Sequence, residues 1–166
     1  MKQEHALWRE LREPRSVSSQ LPREVADFYR INEATEALDG GELELELLPL
    51  DELMTSSESI DPNLEGLDGV HRSWRDIKYV IFAETSWGDE IFCIAHGPHA
   101  GQVFMAGINV SNPEGRHPSG FVCLAGSFDE WLLVLQGPRE DYGLFANDAM
   151  SHQRRERLVD LNGAWW

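Results

Sequence analysis

From Glu42 to Leu47 the chain reads ELELEL, a strict alternation of acidic and apolar residues. A β-strand sends successive side chains to opposite faces. Leu43, Leu45 and Leu47 therefore share one face, and Glu42, Glu44 and Glu46 share the other. A strand with one buried and one wet face is at home in an antiparallel sheet. At about 3.3 Å rise per residue, glutamates on the same face stand about 6.7 Å apart. That is less than the screening length of about 8 Å at physiological salt, so solvent reduces their repulsion without removing it.

The acidity extends well beyond this strand. Between Ile31 and Val70 there are twelve acids and no Lys, Arg or His, out of 29 acids in the whole chain. Such a run is either a face kept soluble by its charge or a binding surface. The formal net charge of −15 disfavours nucleic acid and anionic membrane as ligands, because a polyanion would be repelled, and it favours a basic protein partner. The residues expected to meet such a partner are Glu42, Glu44, Glu46, Asp51 and Glu52, together with Trp87, Asp89 and Glu90 in the turn Thr85–Glu90. Trp87 reads either as an aromatic anchor for a partner or as an aromatic at the core's edge. The one dense basic run, Arg154-Arg155-Glu156-Arg157, is expected to pair with the acidic region in the same molecule or in a neighbouring copy.

Most of the apolar density lies between Tyr79 and Gln136. Tyr79–Ala83, Ile91–Ala95, Gln102–Ala106 and Phe121–Leu124 read as strands separated by turns and a Pro/Gly-containing loop. Phe82, Phe92, Phe104, Phe121 and Trp131 are the expected core. The segment SFDEWLLVLQ reads as a helix, with Ser127 as N-cap, Glu130 completing a capping box and Gly137-Pro138 as the stop. Phe128, Trp131, Leu132 and Leu135 form its inner face. LPREVADFYRIN reads as an earlier helix that starts at Pro22, turns Phe28 and Tyr29 inward and extends to Leu38, where Asp39-Gly40-Gly41 ends it. A short amphipathic stripe (Leu7, Trp8, Leu11), a turn at PLDEL, a long polar loop over TSSESIDPNLEGLDG, an anchor at Trp74, a helix within NDAMSHQRRERLVDLN and a docked Trp165-Trp166 pair complete the expectations. A single α+β domain over 1–166 follows, with a central, mostly antiparallel sheet of about 4–6 strands flanked by helices.

Catalytic signatures are missing from the sequence. There is no Gly-rich phosphate loop opening a helix, no H-E-x-x-H and no G-x-S-x-G. Cys93, His96 and His99 have C-x-x-H-x-x-H spacing, but an odd separation on a strand sends Cys93 and His96 to opposite faces. The acids between Asp39 and Asp68 lack the D-x-D-x-D-G spacing of a calcium loop. The expectation is a protein that is not an enzyme and has no cofactor and no metal. Cys93 and Cys123, the only cysteines, sit in apolar runs and read as buried thiols, with a disulfide between neighbouring strands as the alternative. No stretch reaches the ~20 apolar residues of a membrane span. The first ten residues lack the roughly 7–15-residue apolar core of a secretory signal. Together these readings suggest a cytoplasmic location.

The order of elements carries a further signal. A helix at LPREVADFYRIN is followed by the acidic strand and the leucine turn ELLPLDEL. Trp87-Gly88-Asp89 then opens one strand, Ala100-Gly101-Gln102-Val103 opens the next, and a helix at SFDEWLL closes the series. In this order and spacing the chain resembles the SUKH superfamily over roughly Ser18 to Gln136, leaving 137–166 as a C-terminal extension. The Asn-Gly that the family usually carries after its first helix is Asn32-Glu33 here, and Gly40-Gly41 comes later. The resemblance implies a non-enzymatic binding role. The best-known such role is an immunity protein that neutralises a cognate bacterial toxin, such as a basic nuclease-type domain, by stoichiometric binding. A regulatory or scaffold domain in a cellular assembly is the other role found in that family.

Overall fold

One long strand serves three neighbours, and the sheet grows outward from it. The computed structural model describes residues 21–31, 37–40, 43–50, 53–56, 78–86, 88–106, 121–142 and 148–163. In chain order these form α1 (Arg23–Ile31), β1 (Ala37–Gly40), β2 (Leu43–Leu47), β3 (Met54–Ser56), β4 (Tyr79–Thr85), β5 (Glu90–Ile94), β6 (Val103–Ala106), β7 (Phe121–Ala125), α2 (Phe128–Gln136), a 3₁₀ turn (Arg139–Tyr142) and α3 (His152–Asn162). The sheet order is β1-β2-β4-β5-β6-β7, and every pairing is antiparallel. β4 carries two strands end to end on one edge: β2 pairs with Ala83–Thr85, and β3 pairs with Tyr79–Ile81. Between them the Leu48 N–H donates to the Phe82 carbonyl at 2.8 Å, so the ladder is continuous. The architecture is the α+β arrangement expected, and the three-residue β3 brings the strand count to seven.

Alternation in β2 works as its pattern demands. Leu45 and Leu47 are buried and Glu46 is exposed. β5 and β7 differ, because their apolar residues are buried in succession, so both faces of each of these strands are covered. Their rings fall into two sets. Phe82 meets Phe128 at 5.0 Å and Trp131 at 4.9 Å, while Phe28 meets Phe128 at 5.5 Å. Phe92 meets Phe104 at 5.9 Å, Phe121 at 5.9 Å and Tyr79 at 4.9 Å. Each fully buried aromatic or large aliphatic side chain contributes about 1.5–3 kcal/mol relative to exposure. Phe82 sits at a β-bulge: Ile81 faces Phe92 and Ala83 faces Ile91, which leaves Phe82 as the extra residue and sets its ring against α2.

α1 begins where proline allows it, with the Ala26 N–H donating to the Pro22 carbonyl at 2.9 Å. Val25 and Tyr29 are buried and Phe28 packs against the core. The Tyr29 hydroxyl donates to the Leu48 carbonyl at 2.7 Å, tying the helix to the end of β2, and burial raises its pKa far above the ordinary phenol value. Two expectations are corrected here. The helix does not run to Leu38, because Ala37–Gly40 forms β1 and pairs with β2 from Ala37↔Glu46 to Gly40↔Leu43. Asp39 and Gly40 thus close a strand rather than a helix, and sheet hydrogen bonds outweigh the helical propensity of Ala37-Leu38. Thr55 and Ser56 belong to β3 and not to a loop. The expected stripe at Leu7, Trp8 and Leu11, the anchor at Trp74, the loop over 110–120, Asp51 and Glu52 of the PLDEL turn and Trp165-Trp166 lie outside the described residues.

α2 starts at Ser127, whose hydroxyl accepts from the Glu130 N–H at 3.0 Å. Glu130 does not complete a capping box. Its carboxylate reaches one residue further back, to the Gly126 N–H at 2.8 Å, and takes a two-pronged bond from Arg157 on α3 at 2.7 and 3.0 Å. Gly126 makes room for this pair: a Cβ there would lie 2.7 Å from Arg157 Nη2 and 3.0 Å from Glu130 Oε2. α3 has its own cap. The Ser151 hydroxyl accepts from the Arg154 N–H, and the Asp141 carboxylate accepts from the Ser151 N–H at 2.8 Å and its hydroxyl at 2.7 Å. No helix among the described residues is long and apolar enough to cross a membrane.

Hydrogen bonding from Arg157 holds the Glu130 carboxyl below the ordinary glutamate range, with Gly126 adding to the effect and partial burial opposing it. A carboxylate lowered in the folded state contributes stability above its unfolded pKa and loses it as pH falls through the folded value. Glu130→Gln should therefore cost about 1–2 kcal/mol at pH 7 and leave a flatter stability profile below about pH 4.5. Urea denaturation at pH 7 and at acid pH checks this, and equal losses at both would contradict it.

Candidate functional site

The register of β2, β4 and β5 sets three carboxylates in a row. Glu46 stands directly opposite Glu84, and Glu84 stands directly opposite Glu90. Neighbouring strands lie about 4.7–4.9 Å apart, so the row is tighter than the spacing along β2 alone. Glu46 is exposed, while Glu84 and Glu90 are half-buried at their strand ends. Like charges directly opposite each other in a sheet are destabilising. The Glu90 carboxyl shows this, being raised above its ordinary value first by burial and then by the Glu84 charge.

Two local features build the row. The bulge at Phe82 is one. Had the register of Tyr79↔Ile94 through Ile81↔Phe92 continued unbroken, Glu84 would face Asp89; the extra residue moves Glu84 opposite Glu90. The turn between β4 and β5 is the other. The Gly88 N–H donates to the Thr85 carbonyl at 2.9 Å, and the Thr85 N–H donates to the Asp89 carbonyl at 2.9 Å. Gly88 takes the left-handed conformation, φ 84°, that the turn requires.

Of the residues expected to meet a partner, Glu46 and Glu90 are thus brought onto one row from stretches far apart in sequence. Asp89 has a different position. It is buried, its N–H donates to Thr85 Oγ1 at 3.1 Å, and its carboxylate receives the Thr85 hydroxyl at 3.4 Å, so it serves the turn. Glu44 lies in β2 at the register position opposite Asp39. Glu42, Asp51, Glu52 and Trp87 lie outside the described residues. Glu84 was not singled out by the sequence reading. Its signal was there: it is the one charged residue in the otherwise apolar strand YVIFAET.

Two arginines of the basic run bond residues outside this row. Arg157 bonds Glu130 and Asp160, and Arg154 Nε donates to the Asp141 carbonyl at 3.2 Å. α3 packs on β7 at one end of the strand order, whereas β2 lies near the other.

The remaining chemistry-bearing side chains lie apart from the row. Cys93 and Cys123 are free and buried, and burial pushes each thiol up to about 12, so neither is a thiolate near neutral pH. Cys93 lies inside β5, His96 is exposed beyond its end, and His99 Nδ1 shares a hydrogen bond with Gln102 Oε1 at 3.0 Å. Among the described residues no group of three or more His, Cys, Asp or Glu is placed to hold a metal ion. No family model, no curated protein and no solved structure matches the chain.

A raised carboxyl stabilises the fold fully below its unfolded pKa, and that contribution is lost as pH rises through the folded value. Glu90→Gln should therefore raise stability at pH 7–8 by up to about 1 kcal/mol and remove the gain the unmodified chain shows on moving down into the ordinary glutamate range. Thermal melts between about pH 4.5 and about pH 8 check the sign. A loss of stability at pH 8 would contradict it.

Proposed function

We propose that this chain is a cytoplasmic, non-enzymatic protein-binding domain whose partner is a basic protein. The observation that supports this reading best is the in-register row Glu46–Glu84–Glu90. The row works against folding, and a cationic side chain from a partner would relieve it. The formal net charge of −15 would speed capture of such a partner at low salt, and the row would add specificity through charge complementarity. The resemblance to the SUKH superfamily supports the more particular proposal of an immunity protein acting by one-to-one occlusion of a toxin domain, a nuclease-type toxin being the kind of basic partner that fits.

Glu46→Gln, Glu84→Gln and Glu90→Gln combined should abolish capture of the basic partner from the cells that make the protein, while the variant itself stays folded. The unmodified chain should lose the same partner between about 0.05 M and about 0.5 M salt. Side-by-side affinity capture with mass spectrometry checks both. Equal recovery by both chains at every salt concentration would remove the acidic row from the proposal.

A further inference from the structure

β7 is the last strand in the sheet order, and its composition makes an open edge hazardous. Phe121-Val122-Cys123-Leu124-Ala125 has no charge and no proline, and all five residues are buried. Edge strands of this kind pair readily with further chains. Here the outer side of Cys123 is occupied by a side-chain amide. Asn162 Oδ1 accepts from the Cys123 N–H at 2.7 Å, and Asn162 Nδ2 donates to the Cys123 carbonyl at 2.8 Å. Those are the two bonds that the facing residue of an antiparallel strand makes in a hydrogen-bonded pair. Asn162 is fully buried, and its Nδ2 also donates to the Leu158 carbonyl at 2.9 Å, which fixes the amide on its own helix.

We propose that α3, through Asn162, closes the β7 edge against antiparallel pairing with the β7 of a second copy of this chain. The occupant follows from symmetry. Cys123 is the middle residue of β7 and presents both its N–H and its carbonyl outward. Two β7 strands centred on Cys123 would exchange the same pair of bonds across a two-fold axis, making one interface from one patch. The helix that blocks this is docked by the fully buried Leu158 and by Leu161 against the core, and is oriented by directional polar contacts: Arg157 on Glu130, Asp141 on Ser151, and Asn162 on Cys123. It also buries Arg154 Nη1 without a hydrogen-bond partner among the described residues, which opposes docking. The Asn162 amide occupies the outward bonding groups of the edge, and the ion pair beside it positions the helix.

Size-exclusion chromatography with light scattering, run on the full chain over a wide concentration range, tests this with two variants that loosen α3 in different ways. Asn162→Ala removes both edge bonds and should shift the protein, relative to the unmodified chain, toward a species of twice the mass, with the outward Cys123 amide gaining hydrogen-exchange protection on association. Arg157→Gln loosens the same helix but keeps the edge bonds, and it should elute as the unmodified chain does. Should Asn162→Ala prove poorly folded, Asn162→Asp keeps the acceptor for the Cys123 N–H while setting a carboxylate oxygen against two carbonyls, and it should also self-associate. A folded Asn162→Ala protein that keeps the unmodified mass at every concentration overturns the proposal. So do equal self-association of Asn162→Ala and Arg157→Gln, and loss of structure without association in both Asn162 variants.

Discussion

The fold depends on β4 finding partners along both of its edges. Seven residues long and buried through most of its length, it offers one edge to β5 and divides the other between β2 and β3. Backbone groups buried at this depth carry a heavy penalty if left unpaired, so the two strands must meet end to end, and the Leu48-to-Phe82 bond closes the junction. The bulge at Phe82 then has two effects. It turns an aromatic ring onto α2, where Phe128 and Trp131 receive it, and it advances the β4–β5 register by one residue. One irregularity therefore joins the helix layer to the sheet and sets the acidic row.

Legibility in the sequence follows the range of the interactions. The strand ELELEL, the Ser127 cap and the buried phenylalanines are local patterns, readable from neighbouring residues, and the structure places them as their chemistry requires. The helix expected to continue to Leu38 is different. Ala37-Leu38 is helical by propensity, and only the presence of β2 makes it a strand. Glu130 also looked like a capping-box residue from its spacing to Ser127. Its carboxylate is drawn back to Gly126 by Arg157, 27 positions away, which no local pattern announces.

The candidate site divides in the same way. Glu46 and Glu90 could be picked out as acids in a strand and at a turn, but their being neighbours through Glu84 depends on a bulge and two strand registers. Asp89 sits beside Glu90 in sequence and looks equivalent to it. Burial and the Thr85 hydroxyl make it part of the turn instead. The two ends of the sheet order are also managed differently. Near β2 the chain concentrates carboxylates, and at β7 it lays a helix and an amide over an apolar strand. Arg154 and Arg157, on the helix at the β7 end, bond Asp141, Glu130 and Asp160.

We propose that the row of Glu46, Glu84 and Glu90 faces basic side chains of a partner. Carbodiimide coupling of the captured complex, which joins a carboxylate to a lysine amine in contact with it without a spacer, tests this most directly when read by peptide mass spectrometry. Cross-links from Glu46, Glu84 or Glu90 to partner lysines, suppressed at high salt, are expected. Cross-links confined to carboxylates outside β2, β4 and β5, with the three glutamates uncoupled, would contradict it.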